Sequence, residues 1–175
     1  MVRRNGVDLD VLEKTRQEFT SNPSAARRTN GVEGRWDPER GQFVSEIEWA
    51  GKTFTLRAEQ PPFMGGAGQE LGPLHYCLYG SAACYMATLA TVAAEEGIDL
   101  GPVTVRIEND INFRPALGLS DEPIVERVRI SVKVSAPLDA ATLQRLKEKA
   151  DRLCPGMDCL TRPIPVETQV MTSSE

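Results

Sequence analysis

The sequence predicts an α+β fold, and three features support this prediction. Residues 42–58 alternate between apolar and polar side chains around Ala50-Gly51, which is typical of a β-hairpin. Residues 73–96 are apolar with helical spacing and form the longest predicted helix. Alternation returns at 103–109 and 125–134, which indicates two further strands. A hairpin, then a long helix, then further strands is an order typical of an α+β protein.

Residues 1–39 are expected to lie outside the main domain, which covers residues 40–175. Within them, residues 7–19 have helical spacing, and Asp8 is a candidate N-cap. Residues 21–34 are polar and rich in residues that break regular structure, which favours a loop or an irregular strand. The first 39 residues are therefore predicted to form a helix followed by an extended segment.

The long apolar helix follows an exposed loop and has few polar positions. Residues 60–72 contain Pro61, Pro62 and several glycines, a composition typical of a loop. Pro73 suits the first turn of the helix and Gly97 suits its end. Because the middle of the helix is apolar on nearly all sides, we expect it to be buried on most sides. A homodimer provides that burial more easily than a single chain of 175 residues does.

The C-terminal third is predicted to form a strand, a helix and a closing strand. In residues 125–134, valine and isoleucine alternate with charged or polar residues, so one face is apolar. Asp139 is a candidate N-cap for an amphipathic helix that runs to Leu153. Residues 164–171 are expected to form the last strand.

Charge and hydropathy argue against two classes of partner. The chain has 20 basic and 25 acidic residues, a net charge of −5, so there is no basic excess to bind nucleic acid. The longest apolar run, at 82–94, is shorter than a membrane-spanning helix requires. The first residues also lack the apolar segment of a signal peptide. We therefore expect a cytoplasmic protein that binds neither nucleic acid nor a membrane.

Four cysteines in a reducing cytoplasm indicate redox or metal chemistry rather than a structural disulfide framework. Cys84 lies inside the long helix and Cys154 lies where the second helix ends. We predict that the two thiols meet in space, one being oxidised and the other resolving it. Cys77 and Cys159 are expected to be a core residue and a turn residue without a role. A zinc site from His75, Cys77, Cys154 and Cys159 is an alternative, although neither cysteine spacing is typical of zinc; the expectation is no metal and no cofactor.

Over residues 40–171 the chain resembles the OsmC/Ohr family of thiol-dependent peroxide reductases. The resemblance rests on short segments in the loop, the long helix, the later strands and the C-terminal region: Gly65-Gly66, Gly72-Pro73, Gly80-Ser81-Ala82-Ala83-Cys84, Leu117-Gly118-Leu119, and Cys154-Pro155 before Leu160. It implies an OsmC-like fold in which antiparallel sheets pack around two long central helices of an intertwined homodimer. Residues 1–39 then look like an N-terminal helical extension.

The resemblance also implies a reaction. The Cys84 thiolate attacks a peroxide O–O bond and becomes a sulfenic acid, and Cys154 condenses with it to form a disulfide that an external dithiol reduces. The substrate is expected to be a small apolar hydroperoxide or another small ligand. The alternative is a non-catalytic binding or persulfide-carrier protein on the same scaffold.

This chain departs from the family's pattern beside the reactive thiol. The family's peroxidases carry a glutamate ten residues before the peroxidatic cysteine, where this chain has Leu74, and the arginine that holds their thiolate has no match by spacing. A buried thiolate needs a nearby cation or hydrogen-bond donor, so His75, Arg57 and Arg114 are candidate partners of Cys84. The missing glutamate favours the binding protein, whereas the retained cysteine pair favours the enzyme.

Overall fold

A computed structural model describes residues 2–172 of the protein. The described chain begins with two short paired strands, β1 (Arg3–Arg4) and β2 (Val7–Asp8), followed by helix α1 (Leu9–Ser21). The Asp8 carboxylate accepts hydrogen bonds from two backbone N–H groups in the first turn of α1. The predicted N-terminal helix and its cap are confirmed, and the helix ends two residues later than predicted.

The predicted hairpin forms part of a three-stranded antiparallel sheet. Strand β3 (Gly34–Asp37) pairs with β4 (Gln42–Trp49), which pairs with β5 (Lys52–Glu59). Ala50 and Gly51 turn the chain between β4 and β5 with φ angles of 50° and 74°, as a two-residue turn of type I′ requires. The hairpin is thus confirmed. Strand β3 begins at Gly34, the last residue of the segment 21–34 for which a loop or an irregular strand was expected.

Helix α2 (Pro73–Glu95) is the long apolar helix, and its bounds agree with the prediction. Pro73 occupies the first turn, and Gly97, with φ of 76°, lies just beyond the end. The N-terminal unit is attached there, because the Asn5 side chain donates to the Ala90 and Ile98 carbonyl oxygens. Residues far apart in sequence therefore meet at the C-terminal end of α2.

Two long strands and two helices complete the described chain. Strands β6 (Val103–Ile111) and β7 (Val125–Val134) pair antiparallel in a separate two-stranded sheet. Helices α3 (Ala140–Leu153) and α4 (Pro155–Thr161) both pack against α2. Asp139 caps α3 as predicted, through a hydrogen bond from the Thr142 backbone N–H.

The C-terminal segment differs from the prediction. Residues 164–171 form no strand within this chain, so the expected closing strand is wrong for the single protomer. The chain instead enters α4 directly after Cys154, where the sequence indicated only a turn. Pro163 and Pro165 flank the start of the irregular segment, and neither can donate a backbone hydrogen bond to a helix or a sheet.

The core lies where α2 meets α3 and the β6–β7 sheet. Its buried members come from the C-terminal half of α2, from α3 and from the connection after α2: Tyr85, Leu89, Val92, Ala93, Leu100, Leu146, Ala150 and Cys154. The N-terminal half of α2 is far less covered, and Tyr79 there is 74% exposed. An apolar helix that is half exposed points to a further surface that covers it.

By its length and composition alone, helix α2 could cross a membrane. The apolar run at 82–94, from which no membrane-spanning helix was expected, covers only part of it. One such helix is weak evidence for a membrane protein, because the core helix of a folded domain passes the same test. Half of α2 contributes to the core described above.

Candidate functional site

The structure brings Cys84 and Cys154 together. Their Sγ atoms lie 3.7 Å apart across the contact between α2 and the α3–α4 junction, and both are free thiols. The Cys154 side chain is buried, with 2% of its surface exposed, whereas Cys84 is partly exposed. Of the two thiols, Cys84 is therefore the one that a molecule from solvent can reach first.

The position of Cys154 follows from the local sequence. Its backbone N–H donates to the Ala150 carbonyl oxygen at 2.9 Å, which completes the last turn of α3. Pro155 cannot continue α3, because it has no N–H, but it suits the first turn of a new helix. Cys154 consequently ends α3 and precedes α4, at a bend that directs its side chain toward α2.

A hydrogen bond between side chains holds α3 in register with α2. The Tyr85 hydroxyl, which follows Cys84 in sequence, donates to an Asp151 carboxylate oxygen at 3.0 Å. Burial and the neighbouring Asp151 carboxylate both raise the pKa of Tyr85, so the phenol stays protonated and remains the donor. One residue on each helix thus fixes the spacing of the two adjacent cysteines.

The backbone of Gly156 contacts the Cys84 thiol. Its N–H donates to Cys84 Sγ at 3.4 Å. A Cβ atom on Gly156 would lie 3.2 Å from Cys84 Cβ, which is tighter than most real Cβ contacts, and 3.5 Å from Cys84 Sγ, which is an ordinary contact. The absence of a side chain at Gly156 lets the start of α4 lie this close to α2.

The environment of Cys84 keeps its thiol mostly protonated. Burial raises the pKa of Cys84, the Gly156 N–H lowers it, and the adjacent Cys154 thiol raises it again, so that the pKa lies above its usual value. Cys159 adds a smaller effect in the same direction as burial. Among residues 2–172, none of the groups that act on this thiol is a cation.

A cleft of about 300 Å³ leads from solvent to Cys84. It runs along α2 past Ala87, Thr88 and Thr91 and is bounded on the other side by Leu153. Glu95 lies at the far end, where it forms an ion pair with Arg16 of α1. The walls nearest the sulfur are small and weakly polar, which suits a small molecule with an apolar group.

The three candidate thiolate partners lie elsewhere in the protomer. His75 is exposed in the first turn of α2, nine residues before Cys84 and so about 13 Å along the helix axis. Arg57 is half-buried on β5, where its carbonyl oxygen accepts a hydrogen bond from the Tyr76 hydroxyl at 2.6 Å. Arg114 is exposed in the connection between β6 and β7. Within the described chain none of the three residues contacts Cys84. Their role as thiolate partners therefore stays a prediction, and it requires either a residue from a partner subunit or a conformational change.

The zinc alternative is not supported. Within residues 2–172 no group of three or more histidine, cysteine or acidic side chains is placed to hold a metal ion. Cys77 and Cys159 are both exposed, and Cys159 lies in α4 rather than in a turn. Cys77, expected in the core, instead lies on the uncovered half of α2.

Two residues that shape the surroundings of α2 were not predicted from the sequence. The Pro155-Gly156 pair was interpreted only as a stop for the preceding helix, although a glycine can also mark a place where two helices approach each other closely. Glu59 at the end of β5, which is 1% exposed, was also not singled out. The Glu59 carboxylate accepts hydrogen bonds from the backbone N–H groups of Gln69 and Glu70, in the loop that leads to α2. Alternation in β5 indicates which face a residue occupies but not that a loop will fold over it.

Comparison with known proteins identifies the family. The model of the OsmC-like protein family matches residues 66–169, which include both cysteines of the pair. The chain belongs to the OsmC-like family. An organic hydroperoxide resistance protein from Xanthomonas axonopodis pv. citri is 28% identical to it over 106 residues, 59% of this chain and 70% of that protein. These similarities support a redox or hydroperoxide-resistance role for this OsmC-like protein.

Solved structures support the same fold. An OsmC-like protein from Mycoplasma pneumoniae superposes with a TM-score of 0.62 at 16% identity, covering 76% of this chain and 87% of that one. An organic hydroperoxide resistance protein from Legionella pneumophila has a TM-score of 0.58 at 19% identity, covering 77% and 92%. At these identities the likeness concerns the fold alone. The α+β OsmC-like fold predicted from sequence is confirmed, and the intertwined dimer stays a prediction.

Proposed function

We propose that this OsmC-like protein is a thiol-dependent peroxidase that reduces small organic hydroperoxides with Cys84 and Cys154. The 3.7 Å separation of the two sulfur atoms is the observation that carries the proposal. Such an arrangement lets an oxidised sulfur on one helix be captured by a thiol on the next with little movement, because disulfide sulfurs bond at about 2 Å.

The proposed reaction uses the two thiols of the protein, an organic hydroperoxide and an external dithiol. The Cys84 thiolate attacks one peroxide oxygen, the O–O bond breaks, and the alkoxide leaves and takes a proton to become an alcohol. Cys84 is then a sulfenic acid. The Cys154 thiol attacks its sulfur, forms the disulfide and releases water. An external dithiol reduces the disulfide by exchange and is itself oxidised.

The unequal access of the two cysteines supports different roles for them. Cys84 opens into the cleft along α2 and is the peroxidatic thiol in this proposal. Cys154 is buried beside it and is the resolving thiol. The small, weakly polar cleft favours an uncharged hydroperoxide with an apolar group over a charged one.

The proposed working form is a homodimer in the cytoplasm. The protomer leaves half of an apolar helix and one face of a sheet uncovered, and a second copy of the chain offers matching apolar surface. In that dimer the partner can supply charged groups that one protomer lacks beside Cys84. Arg57 and Arg114 are candidates for that role.

The proposal is tested by consumption of cumene hydroperoxide and hydrogen peroxide with dithiothreitol and other small dithiols as reductants. Wild-type protein should consume the organic hydroperoxide catalytically and faster than hydrogen peroxide. Cys84→Ser should lower turnover at least about a hundredfold, since it removes the nucleophile. Cys154→Ser should leave one round of Cys84 oxidation but block intramolecular disulfide formation.

Cys77→Ser and Cys159→Ser are the matched controls, because both thiols are exposed and neither lies in the pair. Peptide mapping of the oxidised protein under non-reducing conditions should find the Cys84–Cys154 link. Cross-links only through Cys77 or Cys159, or equal activity of Cys84→Ser and wild type, would contradict the proposal.

One observation favours the second candidate, a binding or persulfide-carrier protein. Leu74 replaces the family glutamate, and the groups acting on Cys84 include no cation, so the thiol is weakly activated. A carrier would form the disulfide or hold a sulfane sulfur but would not turn over peroxide. Absence of catalytic consumption with an intact, reversible Cys84–Cys154 disulfide would select this function.

A further inference from the structure

A backbone N–H group lies beside Cys84 where α4 contacts α2. The Gly156 backbone N–H donates to Cys84 Sγ at 3.4 Å. Within the described part of the chain it is the one group that lowers the pKa of Cys84, whereas burial and the Cys154 and Cys159 thiols raise that pKa. A neutral backbone donor is therefore placed where a cation is missing.

The residue type at this position matters because of space. A Cβ atom at position 156 would approach Cys84 Cβ at 3.2 Å and the Ser81 backbone Cα at 3.5 Å. Both neighbours belong to a helix backbone or its first side-chain atom and cannot rotate away. The contact with Cys84 Cβ is tighter than most real Cβ contacts, so a methyl group at this position requires α4 and α2 to separate by a few tenths of an ångström, and a larger side chain requires more. The N–H moves with α4.

We infer that Gly156 is a catalytic residue of this site, which stabilises the Cys84 thiolate through its backbone N–H and permits the close thiol pair through its lack of a side chain. The inference rests on the proposed function for its role in turnover, but the hydrogen bond to sulfur is a property of the protein in any case. Hydrogen bonds to an ionised acceptor are stronger than those to a neutral one, so this contact favours thiolate over thiol.

The charged groups around Cys84 do not supply the same effect. On α2 itself the charged residue lining the cleft is Glu95, an anion about three turns away that is paired with Arg16 of α1. On α3 the ionisable groups include the Cys154 thiol and Asp151, which accepts a hydrogen bond from the Tyr85 hydroxyl and forms an ion pair with Lys147 of the same helix. On α4 the ionisable group that acts on the pKa of Cys84 is Cys159. Among the described residues, two groups donate a hydrogen bond to Cys84 Sγ: the Gly156 N–H at 3.4 Å and the Cys154 thiol at 3.7 Å. The Gly156 N–H is therefore the one backbone donor to this sulfur.

The test is the pH dependence of Cys84 alkylation in full-length protein that carries Cys77→Ser and Cys159→Ser. Iodoacetamide labelling, quantified on the Cys84 peptide, gives a midpoint that reports the thiol pKa and a high-pH plateau that reports access. Gly156→Ala should raise the midpoint, with about tenfold less thiolate at neutral pH. It should also slow diamide-induced formation of the Cys84–Cys154 disulfide.

Gly156→Val provides a graded second variant, because its larger side chain must displace α4 further. Gly31→Ala is the matched control, since nothing lies within 4 Å of its added Cβ. Circular dichroism establishes that each variant is folded. An unchanged midpoint in folded Gly156→Ala would overturn the inference.

The outcomes separate this inference from the proposed function. A raised midpoint in Gly156→Ala, with no peroxide turnover by wild type, retains the Gly156 contact and removes the peroxidase. Full turnover by wild type, with an unchanged midpoint in Gly156→Ala, retains the peroxidase and removes the contact.

Discussion

At the scale of single residues, the reactivity of the Cys84 thiol depends on its ionisation. This thiol lies between a buried cysteine and a backbone N–H, and burial outweighs the donor, so its pKa is above the usual value. The thiolate is the nucleophile, and its fraction at neutral pH is correspondingly small. The protein is thus expected to react more slowly than a site that pairs its thiolate with an arginine.

This leads to a pH prediction. Because the pKa of Cys84 is raised, its reaction rate with iodoacetamide should keep increasing with pH beyond the ordinary thiol range near 8.5, rather than levelling off there. Peptide-resolved mass spectrometry on wild-type protein, with the exposed Cys77 as an internal reference, measures both profiles. A Cys84 profile that levels off at lower pH than Cys77 would contradict this expectation and indicate a cation beside the thiol in the assembled protein.

At the scale of elements, the loop before α2 depends on one buried carboxylate. Glu59 ends β5 and accepts hydrogen bonds from two backbone N–H groups of the loop and from the Gln42 side chain on β4. Gly66 in the same loop lies so close to the Gln60 carbonyl group that a Cβ atom would overlap with it. The Glu59 carboxylate and the close backbone contact at Gly66 together fix the conformation of the loop that leads into α2.

Glu59 also connects stability to pH. Burial alone raises the pKa of this carboxyl, but the backbone N–H groups of Glu70 and Gln69 and the Gln42 amide lower it, so that the pKa lies below its usual value. The charged form is therefore favoured in the folded state. Its contribution is complete above the unfolded-chain pKa of about 4.3 and is lost as the pH falls through the lower folded-state pKa.

Glu59→Gln should accordingly lower the free energy of unfolding at pH 7, and the difference from wild type should shrink as the pH falls below about 4. Urea unfolding at pH 7 and at pH 3.5 measures it. Glu46→Gln is the matched control, because Glu46 is exposed on the neighbouring strand. If Glu59→Gln lowered the free energy of unfolding equally at both pH values, the cause would be the shape of the amide side chain and not the loss of the charge.

At the scale of the whole molecule, the protomer leaves extensive apolar surface uncovered. One face of the β3–β5 sheet exposes the large apolar side chains Trp36, Phe43, Trp49, Phe54 and Leu56. The first half of α2 is exposed as well. Soluble proteins seldom leave contiguous apolar areas of this size open, so a second chain is expected to cover them.

We therefore expect a homodimer that buries well over the roughly 1,600 Å² of a standard interface. Phe54→Lys, on the apolar face of β5, should shift the protein toward monomer or unfold it. Thr55→Lys, on the opposite face of the same strand, should leave the dimer intact. Multi-angle light scattering at micromolar concentration measures the mass, and a monodisperse wild-type monomer would refute the expectation.

Much of the fold was predictable because it depends on local patterns. The β4–β5 hairpin follows from alternation and from Ala50-Gly51 at the turn. Helix α2 follows from its spacing with Pro73 and Gly97 at its ends, and α3 from its spacing and the Asp139 cap. The prediction of a closing strand at 164–171 was wrong. Alternation shows that a segment can form a strand, but it does not show that a neighbouring strand exists in the same chain. Helix α4 was missed, since Pro155-Gly156 resembles a stop when only sequence is considered.

The sequence by itself determined the family, most of the α+β elements and the choice of Cys84 and Cys154 as the candidate pair, because these rest on residue type and on spacing along the chain. Only the tertiary structure decided that the Cys84 and Cys154 sulfurs lie 3.7 Å apart, that Gly156 donates to one of them, and that His75, Arg57 and Arg114 lie away from them within one chain. Seventy residues separate the two cysteines in sequence. Their meeting depends on how α3 and α4 pack against α2, and such packing is a property of surfaces rather than of local sequence.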